Sequence, residues 1–223
     1  MAVSTAKESS ASVSCSGCEP CRHAYPPSDL HRYHAVIFDW DGTLVDSHPL
    51  NFRALSSACT QWGLRLDQKF YNARIGTSGA ELIAELSTVA GIPVAIEQIV
   101  AHCLDNIIDG IAGLDTYQPV VDLARTLHQR LPVAIASGGA RRVVEAGLAV
   151  TNLQDLFDPV ITGEDARHGK PAPDLFLITA QQLGVSPAAC LVYEDSAEGI
   201  QAAKAAGMHV VDVNCFRRSA MTS

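Results

Sequence analysis

Apolar positions along the chain fall into two regimes. Before about residue 33 they follow neither the spacing of a helix nor the alternation of a strand. Residues 1–32, rich in Ser, Pro and Cys, are therefore predicted to form a disordered extension. From Tyr33 the pattern sharpens. The compact apolar run from His34 to Phe38 predicts a buried strand, and it stops at an acidic turn, Asp39-Trp40-Asp41-Gly42-Thr43. Between Ser47 and Ile111 the spacing is almost wholly helical. Helices are predicted over Pro49 to Trp62, Gln68 to Ala73, Gly79 to Ala90 and Pro93 to Ile108, punctuated by Gly63, Gly76, Gly91 and Gly110. After Pro119 short apolar runs return at Val133 to Ala136, Pro159 to Ile161, Leu191 to Tyr193 and His209 to Val213, with helices between them.

Short apolar strands separated by helices argue for a doubly wound, Rossmann-like parallel sheet covered on both faces, an α/β fold. On this reading the α/β core comprises residues 33–46 and 112–216, and residues 47–111 are an all-helical cap domain inserted after the first strand. No fixed-period repeat is visible, which argues against a solenoid or propeller.

In such a sheet ligands gather beyond the carboxyl ends of the strands, so the residue after each strand carries the information. After the first strand stand Asp39 and Asp41; after the second, Ser137 and Gly138; after the fourth, Glu194 and Asp195. Lys170 lies in Gly169-Lys170-Pro171-Ala172-Pro173-Asp174, before the helix that follows the third. Several carboxylates converging on one crevice repel one another unless a cation joins them. Mg²⁺, which takes hard oxygen ligands, is expected on Asp39, Asp195 and the Asp41 backbone carbonyl. Asp39 is the candidate nucleophile, expected to be held ionised by Mg²⁺ and Lys170 and to form an aspartyl phosphate. Asp41 is the candidate acid for the leaving alkoxide and then base for the attacking water. Ser137, the Gly138 N–H and Lys170 are expected to hold the phosphoryl oxygens. Gly42 permits the turn, and Thr43 is expected to bond the nucleophile or its loop. Trp40 is expected to point away from both aspartates and pack.

With these residues in place, the chain resembles the haloacid dehalogenase superfamily. Four stretches carry the resemblance in the family's order: FDWDGTL from Phe38, ASGG from Ala136, GKPAPD from Gly169 and YEDSAEGIQAAKAAGM from Tyr193. The resemblance covers about Tyr33 to Val213. It implies Asp39 as nucleophile, Asp41 as acid/base, Ser137 and Lys170 as phosphate contacts, and Glu194 with Asp195 at the Mg²⁺ site. An aspartate at the position of Asp41 favours phosphate esters over dehalogenation. Within the superfamily the chain looks like the subgroup of beta-phosphoglucomutase and sugar-phosphate phosphatases. The mutases carry a cap histidine where this chain has Asn51 and a cap arginine where it has Gly79 after Ser78. Losing a cationic contact for a second phosphate shifts the expectation from mutase to hydrolase. Asn51, Arg53, Arg74, Thr77, Ser78 and His168 are the candidates for selecting the substrate.

Composition narrows the field further. The chain has 223 residues, 48% hydrophobic and 18% charged, enough for a sizeable core in one or two domains. With 16 Lys and Arg against 24 Asp and Glu the net charge is −8, which disfavours nucleic acid and anionic membranes as partners. The uncharged stretch Leu175 to Tyr193 has membrane-spanning length, but Gln181, Gln182, Gly184 and Pro187 break it. Seven cysteines, an odd number, with no secretory signal in view, point to reduced thiols and a cytoplasmic location. Cys15, Cys18, Cys21 and His23 could furnish a Zn²⁺ site but lack a second knuckle. The expected partner is a small phosphate ester, and the expected state a monomer. The competing reading is a phospho-acceptor signalling module, or an inactive descendant that only binds. A receiver domain, however, has neither a helical insertion after its first strand nor an aspartate two residues past its acceptor.

Overall fold

A computed structural model describes residues 29–75 and 77–214. The cluster Cys15, Cys18, Cys21 and His23, with most of the expected extension, lies outside these residues. In chain order the elements are β1 (Ala35–Phe38), β2 (Val45–Asp46), α1 (His48–Gln61), α2 (Gln68–Asn72), α3 (Gly79–Ala90) and α4 (Ile96–Gly110). Then follow β3 (Asp115–Thr116), α5 (Gln118–His128), β4 (Val133–Ala136), α6 (Arg141–Thr151) and β5 (Val160–Ile161). The chain continues through α7 (Asp174–Leu183), β6 (Cys190–Glu194), α8 (Ala197–Ala205) and β7 (His209–Asp212).

Five strands form the parallel sheet, in the order β5-β4-β1-β6-β7. Its inner strands read as continuous apolar runs because both faces are covered. Val36 and Phe38 of β1, with Ile135 and Tyr193, join one cluster, to which α5 and α6 contribute Val120, Val121 and Val144. Ala35 and Ile37 face the other way, into a cluster with Leu175 and Phe176 of α7 and Ala202 and Ala203 of α8. The alternation of successive side chains along β1 thus supplies both faces of the core. Phe38 and Tyr193, paired in register, stack with ring centroids 5.0 Å apart. Trp40 is 1% exposed and belongs to the first cluster, as its expected packing role requires.

The doubly wound α/β architecture thus follows the apolar pattern closely. Two departures have clear causes. The antiparallel pair β2 and β3, with Val45 opposite Thr116 and Asp46 opposite Asp115, was not expected, because strands of two residues carry no periodicity to detect. The helix expected from Pro93 begins at Ile96, with Ala95 extended before it.

Between β2 and β3 the helices α1 to α4 pack around Leu55, Leu82, Ile83, Leu86 and Ile99, a cluster separate from the two on the sheet. The chain leaves for this helical unit and returns from it through the paired ribbon. Among the described residues no helix is long and apolar enough to cross a membrane.

Ile99 is fully buried among α1, α3 and α4, so Ile99→Ala removes a side chain that its neighbours cannot fully replace. Urea denaturation should show a loss of about 2–5 kcal/mol.

Candidate active site

β1 lies between β4 and β6, and the chain runs outward from it in both directions, which places the topological switch point at its carboxyl end. Three adjacent strands therefore deliver their following residues to one crevice. The turn after β1 is wound tightly: the Trp40 carbonyl accepts from the N–H groups of Thr43, Leu44 and Val45, and Gly42 N–H donates to the Val45 carbonyl. Gly42 has φ +82°, and a Cβ there would stand 2.3 Å from Asp195 Oδ2, so the turn admits glycine for two independent reasons.

Lys170 Nζ donates to Asp39 Oδ1 at 2.5 Å and to Glu194 Oε2 at 2.6 Å, and it also faces the Phe176 ring at 5.1 Å. The lysine side chain is 11% exposed, and those of Asp39 and Glu194 are 7% and 1%. Glu194 is engaged on both oxygens. Its Oε1 accepts from the backbone N–H groups of Asp195 and Ser196 and from the Ser196 hydroxyl. A Cβ on Gly199 would fall 1.9 Å from Glu194 Oε2, so the start of α8 closes directly onto this carboxylate. Thr43 Oγ1 donates to Asp195 Oδ1 at 3.2 Å, so its partner is Asp195 rather than the nucleophile. The Asp195 carbonyl in turn accepts from Asn214 Nδ2 at 2.6 Å, and Asn214 is fixed by Asp212. Asn214 and Asp212 were not among the sequence candidates; only their place at the end of β7 could have pointed to them.

On the other side of the crevice, Ser137 Oγ accepts the Gly139 N–H at 2.9 Å and lies 3.5 Å from Asp41 Oδ2. The Gly138 N–H makes no hydrogen bond to any described residue. Asp41, with the Ser137 hydroxyl beside it, is partly exposed, whereas Asp39 is buried.

Oxygens of Asp39, Glu194 and Asp195 lie within 4.8 Å of one another. One ammonium cannot neutralise three carboxylates. Burial, and then the Glu194 carboxylate, push the pKa of Asp39 well above its ordinary value despite Lys170. Lys170 acts in the expected direction, drawing the Asp39 pKa down, but it is shared with Glu194 and does not offset burial and the neighbouring carboxylates. Burial opposes the charge on Lys170, but the Asp39 and Glu194 carboxylates outweigh it and raise its pKa, so it remains an ammonium. Asp39 Oδ2 is buried with no hydrogen-bond partner. A bare acceptor oxygen, all-oxygen donors and two surplus negative charges fit a small hard dication. The Asp41 carboxylate does not belong to this group; it faces Ser137.

The cap candidates disperse. Arg74 lies over the Phe70 ring at 3.5 Å and is held by Glu85, its Nε at 2.6 Å from Glu85 Oε2, so its charge already has a partner. Ser78 is the N-cap of α3, in a capping box with Glu81. Asn51 is half-buried in the first turn of α1, while Arg53 and Thr77 are exposed. His168 Nδ1 pairs with Asp174 Oδ2 at 3.0 Å.

Known proteins share this architecture. The sequence pattern of the haloacid dehalogenase-like hydrolases matches residues 33–207. A fructose-1-phosphate phosphatase of Escherichia coli K12, YqaB, is 37% identical over 82% of this chain and 97% of its own length. Hexitol phosphatase A of the same organism is 30% identical over 82% of this chain and 84% of its own. The crystal structure of CbbY from Rhodobacter sphaeroides in complex with phosphate superposes with a TM-score of 0.72 at 25% identity, covering 80% of this chain and 84% of that one.

Two outcomes follow from the geometry. Because the folded-state pKa of Asp39 is raised, its ionisation costs stability as pH rises from about 4 towards the folded value. In EDTA, Asp39→Asn should therefore gain stability relative to wild type as the pH rises above about 4 in parallel urea titrations. Ser78→Ala should cost about 1 kcal/mol through the lost cap, with KM unchanged.

Proposed function

The chain belongs to the haloacid dehalogenase-like hydrolases and is a phosphoric monoester hydrolase, and on that premise we propose that it hydrolyses a small sugar or polyol monophosphate through a phosphoaspartate on Asp39, with Mg²⁺ as cofactor. The observation that carries this reading is the Asp39 carboxylate, with one oxygen on Lys170 and the other buried and bare beside Asp195.

Asp39 and Asp195 are the residues to hold Mg²⁺, whose charge would favour the ionised nucleophile and offset that of the phosphate. Glu194 serves best as the anchor of Lys170, since both of its oxygens are already engaged. Asp39 attacks phosphorus, the ester oxygen departs, and Asp41 gives that oxygen its proton. The released alcohol is replaced by water. Asp41, now ionised, takes a proton from the water as it attacks the same phosphorus, and the departing phosphate restores the Asp39 carboxylate. Lys170, Ser137 Oγ and the Gly138 N–H receive the phosphoryl oxygens as charge shifts among them.

The different surroundings of the two aspartates support the division of labour. Asp39 is sealed against the ammonium and suits a nucleophile, whereas Asp41 is open to the crevice and meets alcohol and water in turn. Hydrolysis is favoured over mutase chemistry because Asn51 and Gly79 supply no charge to a second phosphate and Arg74 is already paired with Glu85. The substrate class draws on the relatives that act on fructose 1-phosphate and hexitol phosphates.

Phosphate release from ketohexose, hexitol and aldose phosphates, phosphoglycolate and an aryl phosphate should appear with Mg²⁺ and vanish in EDTA. Asp39→Asn should abolish turnover, and Asp41→Asn should slow it at least about a hundredfold. Retained turnover in Asp39→Asn would sink the covalent route, and isomerisation of glucose 1-phosphate without release of phosphate would restore the mutase.

A further inference from the structure

The turn that carries Ser137 and Gly138 leads straight into α6, whose first N–H groups find no acceptor inside the helix. Ala140 stands at the N-cap and has no side-chain oxygen to offer them. An acceptor comes instead from the loop after β5: Glu164 Oε2 takes the Arg141 N–H at 2.8 Å, from 23 residues further along the chain. The same oxygen accepts from the hydroxyl of Thr162 at 3.0 Å, and Thr162 is fully buried, so a fixed group aims the carboxylate. Thr162 is held in its turn by Asp165, whose Oδ2 accepts the Thr162 N–H at 2.7 Å. Two backbone bonds join the same stretches of chain. Ser137 N–H donates to the Ile161 carbonyl at 2.9 Å, and Gly163 N–H donates to the Gly139 carbonyl at 3.1 Å. Gly163 also lies close against the turn, since a Cβ there would stand 2.8 Å from the Gly138 carbonyl oxygen. The 137–140 turn is thus fixed at its start, its middle and its exit by one short segment, 161–164. The first two fixings are made by backbone; the third depends on a side chain, that of Glu164.

We propose that Glu164 is a positioning residue: by holding the Arg141 N–H it keeps the 137–140 turn in the shape that presents Ser137 Oγ and the Gly138 N–H to the phosphoryl group. The proposal rests on the hydrolase reading above and assigns the residue that shapes its phosphate-binding turn. Glu164 acts through the turn and not on the reacting atoms. Donors fixed in advance bind better than donors that must be ordered when the substrate arrives, so freeing the exit of the turn weakens the hold on phosphate. The carboxylates that follow β1 and β6 come from other strands and keep their places.

The test compares wild type with three variants. Glu164→Ala removes the acceptor, Glu164→Asp keeps the charge but is one methylene short of the Arg141 N–H, and Glu164→Gln keeps both length and an acceptor oxygen. The Ki of inorganic phosphate as product inhibitor does not depend on how much of the enzyme is folded, and so separates positioning from stability. It should rise about tenfold in Glu164→Ala and Glu164→Asp and stay within about threefold of wild type in Glu164→Gln. In the first two, kcat/KM should fall by a similar factor on sugar, polyol and aryl phosphates alike, because all share the phosphoryl group. The Mg²⁺ concentration for half-maximal activity should stay within about twofold in all three. An unchanged Ki in Glu164→Asp overturns the assignment, whatever happens to its urea midpoint. So does a Ki that follows the charge, with Glu164→Gln matching Glu164→Ala. A wild type that neither releases phosphate from an ester nor binds inorganic phosphate in Mg²⁺ overturns the hydrolase reading itself, and wild type alone reveals that case.

Discussion

Three carboxylates drawn together at strand ends around one ammonium set the terms for the whole site. Asp39, Glu194 and Asp195 come from adjacent strands, and their mutual repulsion is only partly relieved by Lys170, which is itself divided between two of them. Such a cluster persists because the surrounding fold holds it. The parallel register of β1 with β6 fixes the spacing of Asp39 and Glu194, and backbone N–H groups at the start of α8 lock the glutamate. The residual negative charge is a potential that would favour a cation.

The two units are built on different principles. The sheet domain gathers charged and hydrogen-bonding groups at its strand ends. The helical unit closes its aromatic rings into a core of its own, and Arg74 there is spent on Glu85.

Much of this was legible in the sequence, for physical reasons. The strands of the sheet are buried on both faces and so stand out as apolar runs, and the residues that follow them fall at the crevice by topology alone. Asp39, Asp41, Ser137, Lys170, Glu194 and Asp195 could therefore be named, and the structure draws them together. What remained hidden depended on side-chain direction. That the Asp41 carboxylate turns to Ser137, away from the group formed by Asp39, Glu194 and Asp195, was one such feature. Thr43 read as a partner of the nucleophile or its loop, and instead reaches across to Asp195. Arg74 and Ser78 have the chemistry of substrate contacts, but local partners eleven and three residues away claim them first.

The β2–β3 ribbon carries a further consequence for how such a chain can change. Asp46 and Asp115 are paired neighbours, so the excursion between them begins and ends at nearly the same point in space. To the rest of the molecule that excursion is a loop with clasped ends, and the entropy of closing a loop grows only by about 0.6 kcal/mol for each doubling of its length. Helices can be added, lost or exchanged there with little thermodynamic penalty to the sheet. The ribbon thus makes the cap a graft point, and the reaction and the choice of what undergoes it can diverge at different rates within a single chain.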